Sequence, residues 1–271
     1  VTAIRLLVSD VDGTLVDKEK KVTAATVDAV ARLRDRDAGF TIISARPRSG
    51  MMPIAETLDI DGPMGAFNGG ILFTRDGTVL ERHAIDPAVA RGMMALAAGK
   101  AVDRWVFADD VWYASTDRGD HVDSERKASN QSPVVTDDFD RLLDSADKIT
   151  FVSDDEALLA SMHDAAADFA ARATIVQSQT YYLDVTALAA NKGDGITALA
   201  RAYDVDLAAI AAIGDQYNDV PMLKVAGYSV AMGNAPAGVQ DHADDVTAAN
   251  DADGVAQAID QYIIPRIGAA Q

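Results

Sequence analysis

Two apolar runs in the chain end in carboxylates. Ile4-Arg5-Leu6-Leu7-Val8-Ser9 leads into Asp10-Val11-Asp12-Gly13-Thr14, and Ile210-Ala211-Ala212-Ile213-Gly214 leads into Asp215, with Asn218-Asp219 close behind. Carboxylates at a buried strand end are costly unless something positive pairs with them. Two or three that converge call for a hard divalent cation, and oxygen-only ligands favour magnesium. A third run, Phe40-Thr41-Ile42-Ile43, ends in Ser44-Ala45-Arg46. There a hydroxyl and the following backbone N–H groups can cradle an anion. Lys192 opens a helical pattern, and a cation at a helix N-terminus is disfavoured unless an anion sits there too. Cation, carboxylates and anion cradle together are the parts of a metal-assisted reaction on an anionic substrate.

Each part also has a plainer reading. With 37 Asp in 271 residues, Asp-x-Asp should arise about five times by chance, and it occurs six times, at 10/12, 35/37, 59/61, 138/140, 204/206 and 251/253. Only the first pair follows a strand-like run and precedes Gly-Thr, and ligand sites of open α/β sheets lie at the carboxyl ends of strands. Ser44 alone also suits a helix cap. Asp219, just before Val220-Pro221, reads equally as an N-cap with Pro in the first turn or as support for a metal. Lys192 could be an exposed surface lysine.

Composition narrows the classes. A formal net charge of −18 argues against nucleic acid or an anionic membrane as partner, since both demand a basic face. The absence of cysteine excludes disulfides, cysteine–zinc sites and thiol nucleophiles. No apolar run approaches the ~20 residues of a membrane span, and the first residues lack the pattern of a signal peptide. The expectation is a cytoplasmic protein, monomer or homodimer, acting on a small molecule.

The elements that must position these residues alternate between strand and helix. The three runs above, with Tyr228–Gly233, suit strands of a parallel sheet buried on both faces. Val27, Val30 and Ala31, and Ile196, Leu199, Ala200 and Tyr203, mark helix faces between them. The fold class this implies is a doubly wound, mainly parallel α/β domain. The texture changes between the two halves. A hairpin turns at Arg75-Asp76-Gly77. After it come a helix near 87–98, strands at 105–108 and 111–115, a polar segment to about 147, a strand at 149–153, a helix near 155–170, and strands at 173–177 and 181–186. This reads as an inserted α+β domain: residues 1–82 and 188–271 form the core, and 83–187 the insertion.

In this order and at these strand ends, the residues resemble the haloacid dehalogenase-like (HAD) superfamily. Asp10-Val11-Asp12-Gly13-Thr14 is similar to its first motif, Ser44 to its second, Lys192 to its third, and Gly214-Asp215 with Asn218-Asp219 to its fourth. Asn68-Gly69-Gly70, Asn191-Lys192-Gly193 and the placement of the insertion resemble the Cof-type branch with a class IIB α/β cap. Ser44-Ala45-Arg46 departs from the Thr-Gly-Arg of many relatives but keeps the hydroxyl.

The resemblance implies a magnesium-dependent phosphatase of small phosphorylated metabolites. Asp10 would be the nucleophile, passing through an aspartyl-phosphate, and Asp12 the general acid and base. Magnesium would be held by Asp10, the Asp12 carbonyl and Asp215, with Asp219 in support. Val11, Ser44, Ala45, Lys192 and Asn218 would hold phosphoryl oxygens, and Asn68 and Arg46 would border the substrate pocket. In the insertion, Tyr181, Tyr182, Asp184, Trp105 and Arg104 are polar-aromatic candidates for substrate contacts, although such residues in strands more often serve the core. A phosphosugar mutase of the same superfamily and a silent metabolite-binding protein are the alternatives. The complete set Asp10, Asp12, Lys192 and Asp215 speaks against the silent protein.

Overall fold

The computed structural model describes residues 2–268. It divides into two compact units. One comprises the chain up to Ala45, Met51–Leu80, and the chain from Asn191 on; the other comprises Arg46–Gly50 and Glu81–Ala190. The short segment Arg46–Gly50 thus groups with the insertion, a feature the sequence did not announce.

The first unit is built on a five-stranded parallel sheet. Its strands lie in the order Asp245–Val246, Tyr228–Ala231, Ile210–Gly214, Leu6–Ser9, Gly39–Ile42. Leu6, Leu7, Val8, Ile210, Ala212 and Ile213 are fully or almost fully buried, as continuous apolar runs in a two-sided sheet should be. Helices Ala24–Arg34 and Lys192–Ala202 connect and cover the strands. Thr23 caps the first and Asn191 the second, each side chain accepting from a backbone N–H of the first turn. Ile196 and Leu199 carry the second helix onto the core with Leu6, Val8 and Met222. A smaller sheet of Met64–Ala66, Ile71–Phe73 and Val79–Arg82 follows. Its hairpin closes through Thr74 N–H to Thr78 O at 3.0 Å, with Gly77 at φ +89°.

The second unit holds a six-stranded sheet in the order Ala173–Gln179, Tyr182–Ala187, Ala146–Val152, Asp103–Ala108, Val111–Ala114, Val134–Val135. It is antiparallel except for the last pair. Helices Pro87–Leu96 and Glu156–Ala165 pack one face, through Val89, Met93, Leu159 and Met162 against Val106, Ile149, Phe151 and Leu183. The polar segment expected up to about residue 147 contains a helix, Val122–Ser129, and the two-residue strand Val134–Val135. The helix expected to reach residue 170 ends at Ala165, and Ala167–Phe169 is a separate short turn. Among the described residues no helix is long and apolar enough to cross a membrane.

Candidate active site

Parallel register brings the chemistry to one end of the large sheet. Ser9 pairs with Ile213 on one side and with Ile42 on the other. The Asp10 N–H donates to Ile213 O at 2.9 Å, and the Ile43 N–H donates to Ser9 O at 3.0 Å. Asp10, Asp215 and Ser44 therefore leave three neighbouring strands at nearly one level. This is the carboxyl edge at which open α/β sheets bind ligands.

After Asp10 the chain winds tightly. The carbonyl of Val11 accepts from the N–H groups of Leu15 at 2.9 Å and Val16 at 3.1 Å. Gly13 turns this segment with φ +81°, and a Cβ there would lie 2.3 Å from Asp215 Oδ2. Glycine is required twice over, for the left-handed backbone and for the space that Asp215 occupies. Thr14 Oγ1 donates to Asp215 Oδ1 at 3.0 Å, and Asn234 Nδ2 donates to Gly13 O at 2.9 Å and to Asp215 Oδ2 at 3.3 Å. The first motif and Asp215 are thereby locked together.

Lys192 is the first residue of its helix, and side chains there lean back past the N-terminus. Its ammonium donates to Asp10 Oδ1 and to Asp219 Oδ1. It is 1% exposed, Asp10 5%, Asp215 3% and Asp219 0%, so the reading of Lys192 as a surface lysine fails. Asp219 does not cap the helix that follows it. Its Oδ2 turns back to accept from the N–H groups of Asp215 at 2.7 Å and Gln216 at 2.8 Å. The capping alternative falls, because those two N–H groups and Lys192 already occupy the carboxylate.

Asp10, Asp215 and Asp219 each offer an oxygen within 4.8 Å of the others. Three carboxylates against one ammonium leave two negative charges uncompensated in a buried place. The titration behaviour reflects that. Burial pushes the Asp10 carboxyl up to about 8; Lys192 opposes this, while Asp219 and Asp215 add to it. Burial, with Asp219, pushes Asp215 up to about 6. Burial disfavours charge on Lys192 as well, but Asp10 and Asp219 outweigh it and raise its pKa. Two surplus negative charges, an all-oxygen donor set and close spacing fit a hard divalent cation.

The other expected residues divide. The Asp12 carboxylate lies outside the three-carboxylate cluster; it is half-buried and accepts from Lys20 Nζ at 2.6 Å. Val11 and Ser44 are buried and Ala45 is exposed. Ser44 joins the Asn68 turn, whose N–H donates to Ser44 O at 2.7 Å. Asn68 adopts φ 58° and accepts from Asn218 Nδ2 at 3.3 Å. Arg46 lies in the second unit, where its guanidinium donates to Gly50 O at 3.1 Å. Of the aromatic candidates, Trp105 is buried against Trp112 and Tyr182, and Arg104 lies over Phe139. Sequence reasoning passed over Thr14, Asn234 and Lys20. Asn234 had a signal, for it follows the Tyr228–Gly233 run as Ser44 follows the run Phe40–Ile43.

Comparison with known proteins agrees with this geometry. The model of the haloacid dehalogenase-like hydrolase family matches residues 7–259. A haloacid dehalogenase-like hydrolase from Bacteroides thetaiotaomicron superposes with TM-score 0.86 at 24% identity, over 95% of this chain and 99% of its own. A phosphatase of the HAD superfamily from the same organism gives TM-score 0.80 at 28% identity, over 95% and 94%. A HAD subclass IIB sugar phosphatase gives TM-score 0.82 at 23% identity, over 95% and 98%. The chain belongs to the haloacid dehalogenase-like hydrolase family.

Proposed function

We propose that this hydrolase is a magnesium-dependent phosphatase acting on phosphomonoesters of small metabolites, sugar phosphates among them. The observation that carries the reading is Lys192, buried between Asp10 and Asp219 with Asp215 alongside. That arrangement suits a carboxylate nucleophile that must approach a phosphate dianion. The phosphatase relative at 28% identity and the fold shared with a sugar phosphatase support the substrate class.

In this scheme an Asp10 oxygen attacks phosphorus in line, the bond to the leaving oxygen breaks, and Asp12 protonates that oxygen. Asp12, now a carboxylate, then takes a proton from the water that attacks the aspartyl-phosphate, freeing phosphate and Asp10. Lys192, Asn218, the Ser44 hydroxyl and the N–H groups of Val11 and Ala45 hold the phosphoryl oxygens. Asp10, Asp215, Asp219 and the Asp12 carbonyl would hold magnesium. When bound, the ion supplies the positive charge that cancels repulsion between carboxylate and phosphate. Asp219 also fixes the Asp215–Gln216 backbone, and Gly13 and Thr14 fix the Asp215 carboxylate.

The test is phosphate release from a panel of phosphorylated metabolites, with and without magnesium, for the wild type and Asp10→Asn. Magnesium-dependent release that Asp10→Asn abolishes is expected. Wild-type turnover by the variant would overturn the nucleophile assignment. Transfer of the phosphoryl group within a phosphosugar, without release, would point to the mutase instead.

A further inference from the structure

The lone pairs of the Asp215 carboxylate, two on each oxygen, are shared out unequally. Oδ2 accepts from Asn234 Nδ2 at 3.3 Å and from Gln216 Nε2 at 3.5 Å. Among the described residues Oδ1 has a single donor, Thr14 Oγ1 at 3.0 Å. Oδ2 is therefore taken on both sides, and Oδ1 keeps one lone pair for a cation.

Asn234 is held against Asp215 by its other partners. It lies just beyond the strand Tyr228–Ala231, and Asn250 opens the short turn Asn250–Ala252. Asn234 Nδ2 also donates to Gly13 O at 2.9 Å, and Asn234 Oδ1 accepts from the Asn250 backbone N–H at 3.0 Å. A flipped amide would set its oxygen against a carbonyl and a carboxylate, so these partners fix which end faces Asp215. Asn250 is anchored in turn, its Nδ2 donating to Val16 O at 2.9 Å. The Asn234 amide is neutral. It occupies Oδ2 without cancelling the surplus negative charge that a cation needs.

Hard divalent cations differ in what they ask of a carboxylate. Magnesium is small and demands a near-octahedral shell, which suits one oxygen from each carboxylate; calcium is larger and readily takes both. We propose that Asn234, seated by Asn250, is a positioning residue that withholds Asp215 Oδ2 from the cation, so that Asp215 offers one oxygen and the site selects magnesium over calcium. This rests on the metal-dependent phosphatase reading, but cation binding is measured without turnover.

The experiment is calorimetric titration of the cation-free protein with magnesium chloride and with calcium chloride, at one pH and ionic strength. The wild type is expected to bind magnesium more tightly, and tighter calcium binding overturns the proposal. Asn234→Ala leaves the charge unchanged and lets water reach Oδ2; a water yields to calcium where a held amide does not. The ratio of the calcium Kd to the magnesium Kd should fall by about tenfold, the lower end of what the outer partners of metal ligands contribute. An unchanged ratio, which a merely structural loss would give, overturns the proposal, and so does a larger one.

Two variants of Asn250 read the relay. Ala249 has φ −69° and ψ 161°, the extended backbone that suits a residue before proline, and proline is at home in the first position of a helical turn. Asn250→Pro removes the N–H that holds Asn234 Oδ1 and should lower the ratio. Asn250→Ala keeps that N–H and should retain the wild-type ratio. Should Asn234→Ala fail to fold, this pair decides, and the same ratio in both overturns the proposal. A wild type that binds magnesium yet releases phosphate from no ester removes the phosphatase reading alone. A ratio indifferent to Asn234 in an active phosphatase removes this inference alone.

Discussion

Replacing Asp10 with Asn removes one of three buried carboxylates and leaves Lys192 bonded to Asp219. The surplus charge of the cluster drops from two to one. In the wild type without a divalent cation, burial holds Asp10 near 8 and Asp215 near 6, both above their ordinary value of 3.8. Between those values the folded state keeps protons that the unfolded chain has released. Stability therefore falls as pH rises from about 4, through about 6 for Asp215 and about 8 for Asp10. One pKa unit is worth about 1.4 kcal/mol, so the cation-free wild type loses on the order of several kcal/mol across that window.

The assay is thermal unfolding between about pH 5 and pH 8 at fixed ionic strength, in EDTA and in magnesium chloride. In EDTA the wild-type Tm should fall with pH, at about 2–4 °C per kcal/mol for a chain of this size. Asp10→Asn should fall less steeply and melt above the wild type at the alkaline end. Magnesium at a hundred times its Kd adds about 2.7 kcal/mol; it should flatten the wild-type slope and do less for the variant. Asp103 and Asp147 are also raised by burial, but both proteins share them, so the difference isolates Asp10. A variant that melts below the wild type in EDTA at the alkaline end, with the same slope, would refute the idea that this carboxylate is a charge burden awaiting a cation.

Three other outcomes follow from the geometry. Gly13→Ala forces a side chain into the left-handed region and against Asp215; it should cost about 1–3 kcal/mol of stability and erase the magnesium-induced rise in Tm, both read from the same melts. Asp12→Ala should keep that rise, because its carboxylate lies outside the three-carboxylate cluster; turnover should fall by about 10²–10⁴ as expected for loss of a general acid and base, and a trapped aspartyl-phosphate should be detectable by mass spectrometry. With a net charge of −18, self-repulsion opposes the compact state, so Tm should rise with potassium chloride, most steeply below about 0.1 M where the Debye length exceeds about 10 Å.

The large sheet was legible because strands buried on both faces read as apolar runs, and their ends named Asp10, Ser44 and Asp215. Lys192 was legible less from its own position than from the carboxylates expected near it. The helix Val122–Ser129 was not legible. It buries only Val122 and Ser129, so its sequence has no apolar stripe to betray a period. Asp12 shows the opposite limit. Its spacing from Asp10 suggested a shared site, but the tight turn after Asp10 sends its carboxylate to Lys20, a partner eight residues on that no pattern marked.

Asp219 sharpens what a sequence can and cannot say. Asp before Val-Pro has the chemistry of a cap, and the helix does begin where that reading puts it. The carboxylate instead satisfies the Asp215 and Gln216 N–H groups at the strand end, and the remaining oxygen meets Lys192. Both arrangements satisfy orphan backbone donors, so local chemistry cannot choose between them. The choice is made by Lys192, which arrives from a distant helix and would be buried with half its compensation if Asp219 turned to cap. Asp219 thus ties the loop that carries Asp215 to the ammonium that faces Asp10. Asp219→Asn should therefore disturb both at once: its amide can offer one acceptor oxygen where three donors now converge.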